Sequence, residues 1–266
     1  MNKIFYLTII ALIIINGVSL AERSINETEY WGVVVVALGE TLEPHIYNGL
    51  LESNIWHKDN IILLWKQNAT REGIIESLGW LKDNVDENDI VLFSFDGHGS
   101  YIDQKYGIYA YEGGEITVEE LDYYFDQINV NNLCLIFDCC FAVTFVDDSI
   151  NKNLKDNNRV ILMSTMKYGL GSHWIDTNLF TGEKEDTCLS SKLAEAWTKK
   201  IDENNDGICS VEESFIYAKR GILPLSIMTA SRLMMQIGCY LAYRHFYLPF
   251  PTIYDNNEGD IPIAYI

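Results

Sequence analysis

Three observations predict an α/β fold, with a mostly parallel sheet of about six strands and helices on both faces. β-branched runs alternate along the chain with apolar patterns of helical period. The first run, WGVVVVALG at 31–39, is continuously apolar, as a central parallel strand buried on both faces requires. Finally, 266 residues with 48% hydrophobic content suffice for one well-buried domain and barely for two.

The elements follow in order. After the first strand, residues 44–53 carry Ile46, Leu50 and Leu51 at helical spacing. IILLW (61–65) is the second strand, and Thr70 caps a helix whose apolar set Ile74, Ile75, Leu78 and Leu81 shares one face. VLFSFDGHGS (91–100) is the third strand and carries His98. YGIYAYEGG (106–114) reads as a short hairpin, and Thr117 with Glu120 forms a capping box that opens VEELDYYFDQI. The fourth strand ends in IFDCCFAV, where a period of two puts Cys134, Ile136, Asp138 and Cys140 on one face and Cys139 on the other. The polar stretch 147–159 lacks hydrophobic periodicity and reads as an exposed loop before the fifth strand, RVILMSTM. LPLSIMTASRLMMQIGCYLAYRHFYL holds Arg232 and Arg244, which favours a core-packed helix over a membrane span. The tail FPTIYDNNEGDIPIAYI is expected to add a last edge strand.

A net charge of −19 makes nucleic acid an unsuitable partner and suits calcium and basic peptides. The acids are scattered, as on a solvated surface. Residues 1–21 begin with Lys3, continue apolar and end in Ser19-Leu20-Ala21, the pattern of a secretory signal peptide, with an uncleaved anchor as the alternative. The expectation is one domain at 22–266, secreted or extracytoplasmic, with no stable membrane insertion after signal cleavage. Sequons at Asn26 and Asn68 permit N-glycosylation. The six cysteines form no paired CxxC pattern for zinc. Cys134 and Cys139 read as buried filler, and an oxidising compartment permits one disulfide among Cys188, Cys209 and Cys239. His45, His57, His173 and His245 have no partner motif, and the 168–174 segment is a Gly-containing loop.

His98 and Cys140 come from the carboxyl ends of two strands, where an open parallel sheet collects reacting groups, and together they offer a thiol and an imidazole base. A hydrophobic strand ending in His-Gly, a spacer, then a second strand ending in Cys resembles the caspase, metacaspase and legumain superfamily of cysteine peptidases. Asp-Cys-Cys resembles the metacaspase nucleophile motif, and the order from DNIILLWKQNAT through WLKDNVDENDIVLFSFDGHGS is similar too. The resemblance covers roughly residues 30 to 265 and implies a caspase-haemoglobinase-like three-layer sandwich. It also implies His98 as general base, Cys140 as nucleophile and the N–H groups of Gly99 and Cys140 as oxyanion donors. Such enzymes process themselves after the nucleophile strand, where Lys152, Lys155 and Arg159 are the basic residues here. In one respect the chain departs from metacaspases, which follow the Cys one residue later with Ser-Gly where this chain has Ala142-Val143. A missing glycine beside a nucleophile can close necessary backbone geometry. The alternative function is therefore a catalytically impaired, calcium-binding module acting in protein binding.

Asp138 shares the predicted strand face of Cys140, so its carboxylate is expected in the substrate pocket, favouring cleavage after Arg or Lys. Metacaspases use an aspartate there in this sense, whereas caspases and legumains read Asp and Asn. Asp96, two residues before His98, adds a second negative group.

DENNDGICSVEE (202–213) has EF-hand spacing, with oxygen ligands at positions one, three, five, seven, nine and twelve and glycine at six. Asp202, Asn204, Asp206, the carbonyl of Ile208, Ser210 and bidentate Glu213 are the expected Ca2+ ligands. Helical patterns flank the loop, as the motif requires. With one loop rather than a pair, a structural calcium is the expected role.

Overall fold

The computed structural model describes residues 27–38, 43–150, 152–165, 175–177, 184–186, 188–222, 251–257 and 259–266. The signal-peptide segment, Asn26, the 168–174 loop with His173, the apolar 223–250 segment, Cys239 and His245 lie outside the described residues.

Six strands form the main sheet: β1 (Tyr30–Val36), β2 (Ile61–Trp65), β3 (Ile90–Asp96), β7 (Asn132–Asp138), β8 (Arg159–Met163) and β12 (Thr252–Asp255). Their order is β2-β1-β3-β7-β8-β12, all parallel except β12, which runs antiparallel to β8 at the edge. β3 and β7 lie at the centre and are almost wholly buried, which is why their sequences are apolar on both faces.

The helices are α1 (His45–Glu52), α2 (Arg71–Asn84), α3 (Val118–Phe125), α4 (Leu189–Lys199) and α5, described over 211–222. α2 and α3 cover one face, where Ile74, Leu78, Leu81, Leu121 and Phe125 meet Val33, Phe93 and Phe137. The Phe93 and Phe125 rings meet edge to face at 5.2 Å, a geometry that adds about 1 kcal/mol to their burial. α1, α4 and α5 cover the other face, with Leu50, Leu193, Trp197 and Phe215 against Leu92, Cys134 and Ile136. The expected caps form: Thr70 Oγ1 accepts from the Gly73 N–H at 3.0 Å and Thr117 Oγ1 from the Glu120 N–H at 3.2 Å. Among the described residues no helix is long and apolar enough to cross a membrane.

Three local readings change. His98 is not at the end of β3. The chain leaves the main sheet at Gly97, and His98 opens β4 (His98–Ile102), which forms a second, three-stranded sheet with β5 (Lys105–Tyr109) and β6 (Glu115–Thr117). Asp103 and Gln104, both at positive φ, make the tight turn between β4 and β5. The 147–159 stretch is polar but pinned. Leu154 is fully buried and Arg159 is 1% exposed, with its guanidinium donating to Asp122 at 2.8 Å and Asp126 at 2.6 Å. Arg159 is thus closed to a self-processing cut, whereas Lys152 is exposed. The tail supplies two strands, β12 and β13 (Pro262–Tyr265), and β13 pairs with the short β11 (Ile208–Ser210). The remaining strands, β9 (Ile175–Thr177) and β10 (Lys184–Asp186), pair with each other.

Candidate active site

β3 and β7 are in register, with Asp96 beside Asp138, and both end at the carboxyl edge of the sheet. Strand alternation then sorts the next residues. Cys134, Ile136 and Asp138 face the α1, α4 and α5 layer, while Cys139 is packed in the α2 and α3 layer. Cys140 is the second residue past the strand, half-buried in a turn. Cys139 is 1% exposed and its thiol is pushed well up by burial, reinforced by the nearby Asp138. It is inert where Cys140 is accessible.

The β4 strand brings its own end to that turn. A Cβ added to Gly99 would lie 1.9 Å from the Cys140 carbonyl oxygen, so only glycine permits the contact. This contact sets the His98-Gly99 and Cys139-Cys140 backbones side by side, with the His98 residue exposed at the head of β4.

Hydrogen bonds from β8 fix the turn. Thr165 Oγ1 accepts from the Ala142 N–H at 3.0 Å and donates to the Cys139 carbonyl at 3.1 Å. Beyond Cys140, Phe141 has φ 63° and ψ 8°, the left-handed region, which costs a non-glycine residue ~1–2 kcal/mol. Residues Ala142–Val146 then form a 3-10 turn, closed by the Thr144 N–H donating to the Phe141 carbonyl at 2.8 Å. Val143, which stands where the metacaspase pattern has glycine, is inside this turn and is not at positive φ. The backbone at Val143 therefore does not itself require a glycine.

Asp138 is 3% exposed, and its Oδ2 accepts from the Ser190 N–H at 2.8 Å and the Ser190 hydroxyl at 3.0 Å. The carboxylate thus sits on the N-terminus of α4, a favourable place for a negative charge. Asp96 is 4% exposed, and Asp96, Asp138 and Cys188 hold ligand-type atoms within 4.8 Å of one another. Two buried carboxylates with a thiol are suited to a cationic group, whether a metal ion or a substrate side chain.

The 202–213 loop is closed by its own side-chain oxygens. Asp202 accepts from the N–H groups of Asp206 at 3.2 Å and Gly207 at 3.0 Å, and Asp206 from that of Ile208 at 2.9 Å. Glu213 Oε1 accepts from the N–H groups of Glu203 and Asn204 at 2.8 and 3.1 Å, and its Oε2 meets Ser210. Gly207, at φ +87°, makes the bend. The donor set is all oxygen, which fits a hard cation such as calcium. α4 enters the loop, α5 leaves it, and β13 covers its short strand β11. Burial, with the charges of Glu213 and Asp206, pushes the Asp260 carboxyl up, a sign of crowded negative charge around the loop.

The five described cysteines are free thiols, so Cys188 and Cys209 are not joined to each other. Cys188 caps α4 instead, its sulfur accepting from the Ser191 N–H at 3.3 Å. Thr165, Ser190 and Phe141 were not legible as site residues. Each acts through backbone geometry at a strand or helix end, which no spacing rule in the sequence marks.

Comparison with known proteins bears on the family and the fold. A family described as the caspase domain matches residues 57–218. No curated protein matches the chain. The crystal structure of a Geobacter sulfurreducens protein is 12% identical, with a TM-score of 0.54 over 90% of this chain and 99% of that one. The crystal structure of caspase-1 from Spodoptera frugiperda is 12% identical, with a TM-score of 0.51 over 90% of each chain. At that identity the likeness is one of fold.

Proposed function

Because the chain belongs to the caspase-domain family, we propose that it is a cysteine endopeptidase cutting after Arg or Lys through a Cys140 and His98 dyad. His98 takes the Cys140 proton, and the thiolate attacks the scissile carbonyl carbon. The N–H groups of Gly99 and Cys140 hold the resulting oxyanion. Collapse of that intermediate breaks the C–N bond, with His98 returning its proton to the leaving amine. Water, deprotonated by the same imidazole, then hydrolyses the thioester. The observation that carries this reading is the contact of Gly99 with the Cys140 carbonyl, which brings the two motifs together at the sheet edge.

Preference for a basic residue rests on Asp96 and Asp138, whose buried carboxylates are stabilised by a cationic side chain. The loop ligands Asp202, Asn204, Asp206, Ile208, Ser210 and Glu213 would hold one Ca2+, which supplies folding free energy at the α4–α5 junction and no reacting group. Residues 1–21 are the proposed secretory leader of a domain at 22–266.

The test is hydrolysis of peptides that differ only in Arg, Lys, Asp or Asn before the bond, using the protein, its Cys140→Ala form and its Asp138→Asn form. Expected is Cys140-dependent cutting after Arg and Lys. Loss of one buried charge partner costs about 3 kcal/mol, so Asp138→Asn should lower kcat/KM for Arg substrates on the order of a hundredfold. Cutting that survives Cys140→Ala, or a preference untouched by Asp138→Asn, would refute the corresponding assignment.

A further inference from the structure

The nucleophile lies between two unlike surfaces. Asp96 and Asp138 are on the α1, α4 and α5 side of the sheet, whereas the β4-β5-β6 sheet is on the other side, with Ile108 and Ile116 in the core beneath α2 and α3. Against this small sheet lies a cavity of about 440 Å³, whose lining includes Tyr101, Lys105, Tyr106, Glu119 and Lys152.

The hairpin register connects the cavity to the nucleophile. Gly99 pairs with Ile108 and Tyr101 with Tyr106, so both tyrosines share the hairpin face on which Gly99 meets the Cys140 carbonyl. The Phe141 ring, next after Cys140, stands 6.0 Å from that of Tyr106, which stands 4.5 Å from that of Tyr101. Three rings thus make a continuous wall from the nucleophile's neighbour into the cavity. Tyr101 is 53% exposed, so this wall is not a core. At the hairpin's far end Lys105 approaches Glu119 at 3.9 Å, and with Lys152 it puts two ammonium groups against one carboxylate, in a chain of net charge −19.

A peptide that commits its acyl-side residue to Asp96 and Asp138 crosses Cys140 onto the opposite layer with its leaving segment. We propose, on the basis of the peptidase reading above, that this cavity is the leaving-group subsite of the enzyme. It takes an aromatic or large apolar residue against Phe141 and Tyr106 just after the cut bond, and an acidic residue against Lys105 and Lys152 further on. The five residues of β4 span about 13 Å, so the acidic position falls about four residues past the bond. The residue at which the chain bends into the left-handed region, Phe141, is thereby a specificity element.

Two readouts test this. The Cys140→Ala protein is titrated, by fluorescence anisotropy, with labelled peptides that begin with Phe or Gly and carry Asp or Lys at the fourth position. The active protein is given quenched substrates with the same segments after a common Arg. The Phe, Asp peptide is expected to bind at least tenfold tighter than the Phe, Lys peptide, and its substrate to show the higher kcat/KM. Lys105→Glu with Lys152→Glu should reverse that order, and Tyr106→Ala should erase the preference for Phe over Gly. Equal binding of all peptides, or an order unchanged by the double charge reversal in a protein of native circular dichroism, overturns the subsite. Preserved binding preferences without any cutting would support the subsite and refute the peptidase reading, whereas cutting without leaving-side preference would do the reverse.

Discussion

Replacing Glu213 by Gln should separate a calcium-stapled domain from one merely rich in acids. Glu213 is 7% exposed and closes the loop from its last position, its Oε1 holding the Glu203 and Asn204 N–H groups and its Oε2 the Ser210 N–H at 3.3 Å. An amide keeps one acceptor, turns an NH2 toward Ser210 and removes a negative charge, so a bidentate calcium ligand becomes at best monodentate. With free calcium at a hundred times its dissociation constant, binding stabilises the native state by about 2.7 kcal/mol. For a chain of this size that is a shift of roughly 5–10 °C in Tm. Without calcium, only the weakened Ser210 contact is lost, about 1 kcal/mol. The assay is a thermal melt followed by far-ultraviolet circular dichroism, in buffered calcium and in chelator, for both proteins. The wild type should lose most of that 5–10 °C in chelator and the Gln variant almost nothing. Identical wild-type melts in calcium and chelator would refute the site, and a full calcium shift in the variant would refute the role of Glu213.

Other outcomes follow from the same structure. Iodoacetamide should alkylate Cys140 well before Cys139, and Cys139→Ala should keep peptidase activity, because Cys139 is buried with its thiol pushed up; peptide mapping that finds Cys139 labelled first would contradict this. Arg159→Ala should lower stability by about 3 kcal/mol in urea unfolding, since it leaves the largely buried Asp122 without its partner and empties a fully buried position, the exposed Asp126 adding little; a loss under about 1 kcal/mol would show the pairs to be incidental. Burial alone would raise the Glu195 carboxyl, but hydrogen bonds from Lys192, Lys199 and Tyr217 outweigh it and hold it at about 2. Its folded pKa is below the unfolded one, so its contribution is complete above the ordinary 4.5 and fades as pH falls toward 2. Glu195→Gln should flatten that acid limb of the stability curve, modestly because the group is partly exposed, and an unchanged limb would refute the assignment.

Where a single local signal decided the structure, the sequence was sufficient. β2 at IILLW, the Thr70 and Thr117 caps and the helices flanking the 202–213 loop each rest on spacing or a capping side chain, and each formed as expected. What was hidden depends on contacts between distant segments. β4 is a short, mostly exposed strand directly after a buried one, so it read as the end of β3. Leu154 lies in a polar run and only its packing beneath Phe145 and the sheet reveals it as core. Asp138 was legible as a carboxylate beside Cys140, but its hydrogen bonds to Ser190 join residues 52 positions apart.

The end of β7 distributes three duties by alternation alone. Asp138 is held by α4 on one side of the sheet, and Cys139 is sealed in the core on the other. Cys140, the second residue past the strand and already in the turn, is left at the boundary where β4 can reach it. A one-residue slip of this strand would exchange all three environments, placing a carboxylate in the α2 and α3 core and a buried thiol at the acid pair. The register is fixed by bulk: Phe93, Phe95, Leu135 and Phe137 fill the first core, and Leu92, Cys134 and Ile136 the second. The large side chains at the centre of the sheet therefore set which cysteine is sealed in the core and which stands at the accessible turn. Thr165 then sets where Cys140 stands, because its hydroxyl ties the residues on either side of the Cys140-Phe141 step to the end of β8.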